Sequence, residues 1–272
     1  MRDFRLLLPT ALLLSAPAHS DVLWPDALDV DLNYRNSARL EPDQSWDFRL
    51  GVGLESEPTY QGSDKSDTEV DPYFVGAYRA AWGNMFLSGG GLGYSRMLTD
   101  DFGIVLQLEA EDTREVEDDP RLAGLGDQDE ELELEITARY LRGNWFAGGS
   151  VAVATGDKGV VWFLGGGYTW RIADDRLFVR IGADISGSTA DNQRTDFGIT
   201  QIQSDASGYP VYTPDGGLKS FGLNVNAEYQ LNQRWYLYGQ IDYENFLGDV
   251  ADSPLVLDES NVEFGAGLFF RF

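Results

Sequence analysis

The sequence predicts an all-β protein: a transmembrane antiparallel up-and-down β-barrel of about twelve strands, or ten if the weakest candidates are not strands. Hydrophobicity alternates with a period of two along most of the 272-residue chain. Many alternating segments have the roughly 9–11 residues that a tilted strand needs to cross a bilayer. Short polar turns also alternate with long acidic loops, which is typical of outer-membrane barrels.

Residues 1–20 are predicted to be a secretory signal peptide. Arg2 precedes an apolar run over 6–18, and small residues lead to Ser20. The run is shorter than the roughly 20 residues of a membrane-spanning helix, although a retained anchor is the alternative. Cleavage leaves 21–272 as a single outer-membrane β-barrel domain.

The composition argues against most enzyme classes. The chain has no Cys, and its one histidine, His19, lies in the predicted signal peptide. Ser-His-Asp hydrolysis, cysteine nucleophiles and His-ligated zinc are therefore excluded from the mature domain. A carboxylate pair or a Ser-Lys pair remains, but we predict no enzyme, no cofactor and no metal site. The net charge of −25 argues against nucleic acid and against anionic lipid headgroups as partners.

The predicted strands follow one another along the chain. They are 28–35, 46–55, 72–82, 85–97, 102–111, 132–140, 144–154, 160–171, 176–187, 221–229, 235–244 and 262–272. In 132–140, for example, Leu132 and Leu134 fall on one face while Glu133 and Glu135 fall on the other. Short turns are expected near 99–101, 142–143, 173–175 and 232–233, and long loops near 112–130, 188–218 and 246–260.

The orientation follows from placing the end of the last strand in the periplasm. The short turns are then periplasmic and the long loops extracellular. An even strand count requires 28–35 as the first strand, which makes 56–71 a periplasmic connection.

A secreted β-sandwich is the soluble alternative, but its strands are usually shorter. Aromatic residues near strand ends instead favour an interfacial girdle in the outer membrane, with lipid as a partner. These aromatics are Trp46, Tyr73, Trp82, Tyr140, Trp145, Trp170, Tyr229, Trp235 and Tyr243.

Charged residues of the opposite faces are predicted to line the lumen, because a charge at the bilayer midplane costs roughly 2–4 kcal/mol. The candidates are Glu133, Glu135, Arg139, Arg180, Asp184, Glu228, Asp242 and Glu244. One interpretation is a structural plug of ion pairs and water. The other is a small lumen that prefers cations or binds a solute.

Four segments carry glycine, proline and charged residues in distinctive patterns, in order between 50 and 272. The first runs from Gly51 through Pro58–Asp64. The others contain Pro120, Arg121, Gly124 and Gly126; then Pro210, Tyr212 and Lys219; then Gly248, Asp249, Asp252, Ser253 and Pro254. Together they resemble the MipA/OmpV family (MltA-interacting protein) of Gram-negative outer-membrane proteins. Residues 21–45 carry no match.

The resemblance implies a barrel without catalytic residues. The family's namesake is a scaffold that brings a murein-degrading lytic transglycosylase together with a murein synthase, so those two enzymes are the expected protein partners. Such a scaffold would use the periplasmic rim, where 56–71 is the sizeable segment in this topology.

Two other functions remain open at this point. A surface adhesin or receptor would use the long loop 188–218. A narrow cation-preferring channel would lose conductance when Glu133 or Glu135 becomes Gln.

Overall fold

The structure is a computed structural model that describes residues 45–88, 91–110, 113–128, 131–156, 158–173 and 176–272. The predicted signal peptide and the predicted strand 28–35 lie outside these residues.

Twelve antiparallel strands form one closed sheet, in which each strand pairs with its neighbours in sequence and the last pairs with the first. This confirms the predicted barrel and excludes a two-sheet sandwich. The strands are β1 (Trp46–Pro58), β2 (Ser66–Ala80), β3 (Gly83–Ser88), β4 (Gly91–Met97), β5 (Phe102–Ala110), β6 (Leu132–Arg142), β7 (Trp145–Ala154), β8 (Val160–Ile172), β9 (Leu177–Ser188), β10 (Gly217–Gln230), β11 (Trp235–Phe246) and β12 (Ser260–Arg271).

The count of twelve is reached without 28–35, because the predicted single strand 85–97 was wrong. It is two strands, β3 and β4, which pair antiparallel from Asn84↔Ser95 to Ser88↔Gly91. Gly91 has a backbone φ of +145°, which residues other than glycine rarely adopt. Alternation alone did not reveal this reversal, since glycine-rich residues on both sides continue the strand pattern.

Within each strand, side chains point alternately into the lumen and toward the outside of the barrel. In β6, Leu132, Leu134 and Ile136 are about half exposed and face outward, while Glu135 faces inward and is buried. An apolar outer surface around a closed sheet matches hydrocarbon, since every strand hydrogen bond is satisfied within the wall. No helix in the described part of the chain is long and apolar enough to cross a membrane.

One end of the barrel, here called the short-turn rim, carries the short turns 81–82, 98–101, 143–144 and 231–234, and β8 ends and β9 begins there. The short connection between β3 and β4 is the exception, because these strands meet at Ser88↔Gly91, at the opposite end. Trp46, where β1 begins, is at the short-turn rim, because it pairs with Tyr78 beside the turn 81–82. The prediction that 56–71 is a connection at this rim was wrong. Residues 59–65 are the tip of the β1–β2 hairpin, so they lie at the opposite rim with the long loops.

Three short helices within the long loops were not predicted. They are α1 (Ala190–Phe197), α2 (Gln201–Ser207) and α3 (Gly248–Ala251), and a 3₁₀ turn spans Pro120–Leu122. Each is too short to give a clear hydrophobic period in the sequence.

The aromatic girdle is concentrated on one side. Outward-facing rings cluster at the short-turn rim: Trp46, Trp82, Tyr140, Trp145, Trp170, Tyr229 and Trp235. Tyr243 faces outward near the other end. Tyr73 was assigned to the girdle wrongly, because odd-numbered residues of β2 point inward, and its ring stacks on Phe269 at 5.0 Å within the barrel.

An ion cluster joins the first and last strands inside the short-turn end. Asp47 of β1 accepts hydrogen bonds from Arg271 of β12 at 2.8 and 2.9 Å. It also accepts one from Arg49 at 3.2 Å, and Arg79 of β2 lies 3.8 Å away. All four side chains are buried. One carboxylate therefore compensates three guanidinium groups across the seam where the sheet closes.

Replacing Asp47 with Ala is expected to lower the free energy of unfolding by about 3–5 kcal/mol, because it leaves buried arginines without this carboxylate. Urea unfolding in detergent micelles measures the change. Asp101→Ala, in the turn between β4 and β5, is the control and should stay within about 0.5 kcal/mol of the parent. Equal stability of the two variants would show that the cluster does not hold the seam.

Candidate functional site: the loop cap and the lumen

Four loops at the long-loop rim pack together into one structure, the loop cap, made of residues 59–65, 113–128, 189–216 and 247–259. Its core is a cluster of buried apolar residues, one or two from each loop: Tyr60, Leu122, Leu125, Ile199 and Leu255. Burying each large apolar side chain stabilises the folded loops by roughly 1.5–3 kcal/mol. The long loops are therefore folded against one another.

A second cluster attaches the cap to the mouth of the barrel. Phe246, at the end of β11, packs against Phe197 of α1 with ring centroids 5.6 Å apart, and Val250 of α3 completes the contact. The Ser253 hydroxyl donates to the Phe197 carbonyl at 2.7 Å. The loop that follows β11 and the loop that follows β9 are thus fixed to each other and to the wall.

A helix cap and two glycines with positive φ fix the backbone conformation of these loops. Thr200 and Gln203 form a capping box at the start of α2. Gly208 ends that helix with a φ of +84°. Gly124 has a φ of +89°, and a Cβ placed there would lie 2.7 Å from the Ala206 backbone. The glycine therefore allows two loops to touch directly.

The polar centre of the cap is the pair formed by Asp119 and Arg121. Arg121 donates to Asp119 through its backbone N–H at 2.8 Å, through Nε at 2.9 Å and through Nη2 at 2.7 Å. It also bonds to Asp64 and Ser63 of the β1–β2 loop. Lys65 adds a bond to Asp119 at 3.1 Å. Two loops are tied together here by charge-assisted hydrogen bonds.

These contacts shift ionisation in the cap. The hydrogen bonds from Arg121 hold the pKa of Asp119 well below its usual range, and the same bonds raise the pKa of Arg121. Burial raises the pKa of Tyr60 to about 12. The carboxylate and guanidinium therefore stay charged, and the phenol stays neutral, at any ordinary pH.

A buried polar group lies where the cap meets β10. Lys219 is 1% exposed, and its Nζ makes no hydrogen bond but lies 5.5 Å from the Phe197 ring centroid. It interacts electrostatically with Asp196 of α1, as do Lys158 and Arg114. Burial raises the pKa of Asp196 despite these cations.

The family-motif residues singled out in the sequence are brought together by the fold. Eleven of them lie in the cap: Pro120, Arg121, Gly124, Gly126, Pro210, Tyr212, Gly248, Asp249, Asp252, Ser253 and Pro254. The twelfth, Lys219, is the buried lysine beneath it. Tyr212 donates to the Asp249 carbonyl at 2.6 Å, which links two of the motifs directly.

The lumen residues singled out in the sequence all fall at inward-facing positions of their strands: Glu133, Glu135, Arg139, Arg180, Asp184, Glu228, Asp242 and Glu244. Glu135 and Arg139 are buried, whereas the other six are partly exposed within the lumen. The structure does not bring them into one constellation, because they lie on two sides of the barrel and at two heights.

The heights follow the sign of the charge. The carboxylates Glu133 and Glu135 are near the loop end of β6, while Arg139 is near the short-turn end of the same strand. Likewise Arg180 precedes Asp184 along β9, which runs from the short-turn rim upward. Glu228, near the short-turn end of β10, is the exception. The upper lumen is therefore acidic and the lower lumen rich in arginine.

One side of the lumen is filled by apolar side chains that the sequence reading missed. Val75, Ala77, Phe86, Val105, Leu141, Ala152, Val161 and Phe163 form a buried cluster inside β2 to β8. The sequence indicates this cluster through small and apolar residues at inward positions of the strands. The predicted lining of the lumen consisted only of charged residues. The partly exposed carboxylates Asp242 and Glu244 lie on the other side of the lumen, on β11.

No group of three or more metal-ligating side chains among the residues that the structure describes is arranged to hold an ion. Inward carboxylates instead have amide or hydroxyl neighbours: Gln240 donates to Glu55 at 2.8 Å, and Thr137 to Glu135 at 2.8 Å. These hydrogen bonds fix the positions of the two carboxylates on the wall of the lumen.

Comparison with known proteins decides the family. The family described as MltA-interacting protein MipA matches residues 50–272. The chain belongs to the MipA family. Proteins named MltA-interacting protein from Escherichia coli (strain K12) and Shigella flexneri are each 24% identical over 115 residues. That match covers 42% of this chain and 45% of each relative, so it spans less than half of the relatives' length.

Solved outer-membrane structures are also similar to this MipA-family chain. The CymD monoaromatic hydrocarbon channel has a TM-score of 0.45 and 9% identity, covering 90% of this chain and 92% of that one. The translocator domain of the autotransporter NalP from Neisseria meningitidis has a TM-score of 0.41 and 9% identity, covering 93% and 100%.

The family and the closed twelve-strand barrel place the protein in the outer membrane. In such barrels the short turns face the periplasm and the long loops face outward. By this general rule we expect the loop cap to be external and the short-turn rim to be periplasmic.

Arg121→Gln is expected to loosen the cap while leaving the barrel folded, since it removes bonds to Asp119, Asp64 and Ser63. Because the Arg121 side chain is 25% exposed, we expect a loss of about 2 kcal/mol in local opening free energy. Amide hydrogen exchange over 113–128 measures it, with the amides of β6 as the internal control. Unchanged protection in the loop would contradict a role for this pair.

The depressed pKa of Asp119 predicts acid lability of the cap. Such a carboxylate stabilises the folded state above the ordinary pKa of about 3.9, and that contribution is lost as pH falls toward the lower folded-state value. Protection of the Leu122 amide, corrected for intrinsic exchange, should be constant from about pH 7 to 5 and fall below about pH 4. Asp119→Asn should remove this dependence, so an equal acid response in that variant would contradict the assignment.

Proposed function

We propose that this MipA-family chain is a non-enzymatic outer-membrane scaffold that binds a murein-degrading lytic transglycosylase, and with it a murein synthase, from its short-turn rim. The observation that carries the proposal is the family match over 50–272, because the family's description names an interaction with MltA.

The distribution of chemistry supports a role without catalysis. The chain has no Cys, and its one histidine is His19. The buried charges at the two ends have structural partners: Asp47 holds Arg271 at the seam, and Asp119 holds Arg121 in the cap. These carboxylates are fully engaged and do not pair with a nucleophile.

The fold changes which residues can form the contact surface for a periplasmic partner. Residues 56–71 were expected to meet periplasmic partners, but their tip belongs to the external cap. The surface left for a periplasmic enzyme is the set of short turns, together with Ser45, which precedes Trp46 at that rim. Exposed polar residues such as Gln233 and Asn144 lie there.

An adhesin or receptor is the second candidate, and one observation favours it. Ile202 of α2 is 81% exposed on the cap, and Val211 is also exposed, so the outer surface carries apolar side chains without a cover. A cation channel has weaker support, because the cap sits over the mouth and apolar side chains fill one side of the lumen.

Photo-crosslinking tests the scaffold against the adhesin. A benzoylphenylalanine residue placed at Gln233 reports on the short-turn rim, and one placed at Ile202 reports on the cap. We expect a lytic transglycosylase and a murein synthase to crosslink at Gln233 and not at Ile202 in intact cells. Mass spectrometry of the crosslinked bands identifies the partners.

Two outcomes would overturn the scaffold. Crosslinks to cell-wall enzymes from Ile202 alone would put the contact on the wrong rim. Crosslinks from Ile202 to external macromolecules, with none from Gln233, would favour the adhesin.

A further inference from the structure

Four of the short turns carry an exposed arginine on or beside them. Arg96 is the last residue but one of β4, Arg142 is the last residue of β6, Arg176 precedes β9 and Arg234 precedes β11. There is one such arginine at each of four consecutive short turns, from the β4–β5 turn to the β10–β11 turn. Their regular spacing is not visible in the overall charge of the chain.

Two of these arginines point toward lipid by strand register. Arg96 stands between the inward-facing Ser95 and Met97, so its side chain leaves the outer face of β4. Arg142 follows the inward-facing Leu141 and pairs across the strands with Trp145, which is 65% exposed. Both guanidinium groups belong to the surface that carries the aromatic girdle.

The other two stack on rings that face lipid. The Arg176 guanidinium carbon lies 5.5 Å from the ring centroid of Tyr229, and that of Arg234 lies 5.8 Å from the ring of Phe270. Both rings stand on the outer faces of β10 and β12. Cation–π stacking holds both guanidinium groups against the wall. Arg176 also donates from Nε and Nη2 to the backbone carbonyls of Gln230 and Leu231, so fewer of its N–H groups are left for a ligand.

The girdle gives the depth of these arginines. Trp and Tyr rings collect where the acyl chains meet the headgroups, because one end of each ring is apolar and the other is polar. An arginine beside such a ring is at headgroup level, where a charge costs roughly 0–1 kcal/mol and meets lipid phosphate. Guanidinium groups bind phosphate with paired hydrogen bonds.

Carboxylates near this rim are unevenly placed. Asp100 and Asp101 lie in the turn after Arg96, and the turn before Arg176 contains Asp174 and Asp175, which are outside the described residues. The turns beside Arg142 and Arg234 contain no acidic residue, as the sequences Gly143-Asn144 and Leu231-Asn-Gln-Arg234 show. These two arginines therefore carry the clearest local positive charge.

We propose that the outward arginines of the short-turn rim bind the headgroups of anionic phospholipids in the periplasmic leaflet, chiefly at Arg142 and Arg234. The net charge of −25 argues against such a partner only if charge is spread evenly. The carboxylates are instead concentrated toward the loop rim and the upper lumen. At distances beyond a Debye length of about 8 Å they have little effect on the opposite rim.

Tryptophan quenching measures the local lipid composition. The full-length protein is reconstituted in phosphatidylcholine vesicles that contain either brominated phosphatidylcholine or brominated phosphatidylglycerol. Trp145 and Trp235 lie beside the two key arginines and report on neighbouring lipid. We expect about threefold stronger association of phosphatidylglycerol, falling as salt rises from about 0.05 M to 0.5 M.

The double variant Arg142→Gln/Arg234→Gln should bring the preference close to one. The matched control is Arg171→Gln/Arg194→Gln, which removes the same charge from an inward position and from the cap. This control should keep the preference for phosphatidylglycerol. The variant Arg142→Lys/Arg234→Lys keeps both positive charges and should keep most of that preference. If the Gln variant fails to fold, the Lys variant still tests the role of the charge.

Equal quenching by the two lipids in the parent protein would overturn the proposal, as would an undiminished preference in the folded Gln variant. A Gln variant that keeps its lipid preference but loses a crosslink at Gln233 would identify the rim arginines as a protein contact instead. The lipid measurement needs no protein partner, so it stands or fails separately from the scaffold.

Discussion

Closure of the sheet between β1 and β12 is the constraint on which the rest of the molecule depends. A backbone N–H or C=O left unpaired in hydrocarbon costs several kcal/mol, so a membrane sheet without edges is the stable arrangement. The ladder from Arg49↔Arg271 to Ser56↔Phe264 supplies this closure. Once it is made, each strand residue has a fixed side, and the buried Asp47 cluster, the apolar belt and the lumen all follow from that assignment.

Much of this arrangement was predictable because two-residue periodicity is a local property. Alternation identified the faces of β6 and β10 and the inward position of Glu133, and the longest loops, 112–130, 188–218 and 246–260, were correctly assigned to one rim. Predictions failed where the answer depends on distant contacts. Nothing near Tyr73 shows that its ring meets Phe269, and nothing in 56–71 shows that Tyr60 packs with Leu255.

The cap shows the same limit from another side. Arg121 of its central pair also bonds to Asp64 across 57 positions, and α1 to α3 are stabilised by packing more than by their own sequence. The family motifs marked these loops as special before any contact was known. Their glycines and polar residues are explained by one loop resting on another, as Gly124 does on Ala206.

The seam also governs how the protein can be made. Asp47 and Arg271 are 224 positions apart, so the bond that closes the ring is among the longest-range contacts in the chain and forms after β12 exists. A chain lacking β12 would have two open strand edges, whose unpaired backbone groups are costly in hydrocarbon. Closure of the ring therefore has to wait for the last strand of the sequence.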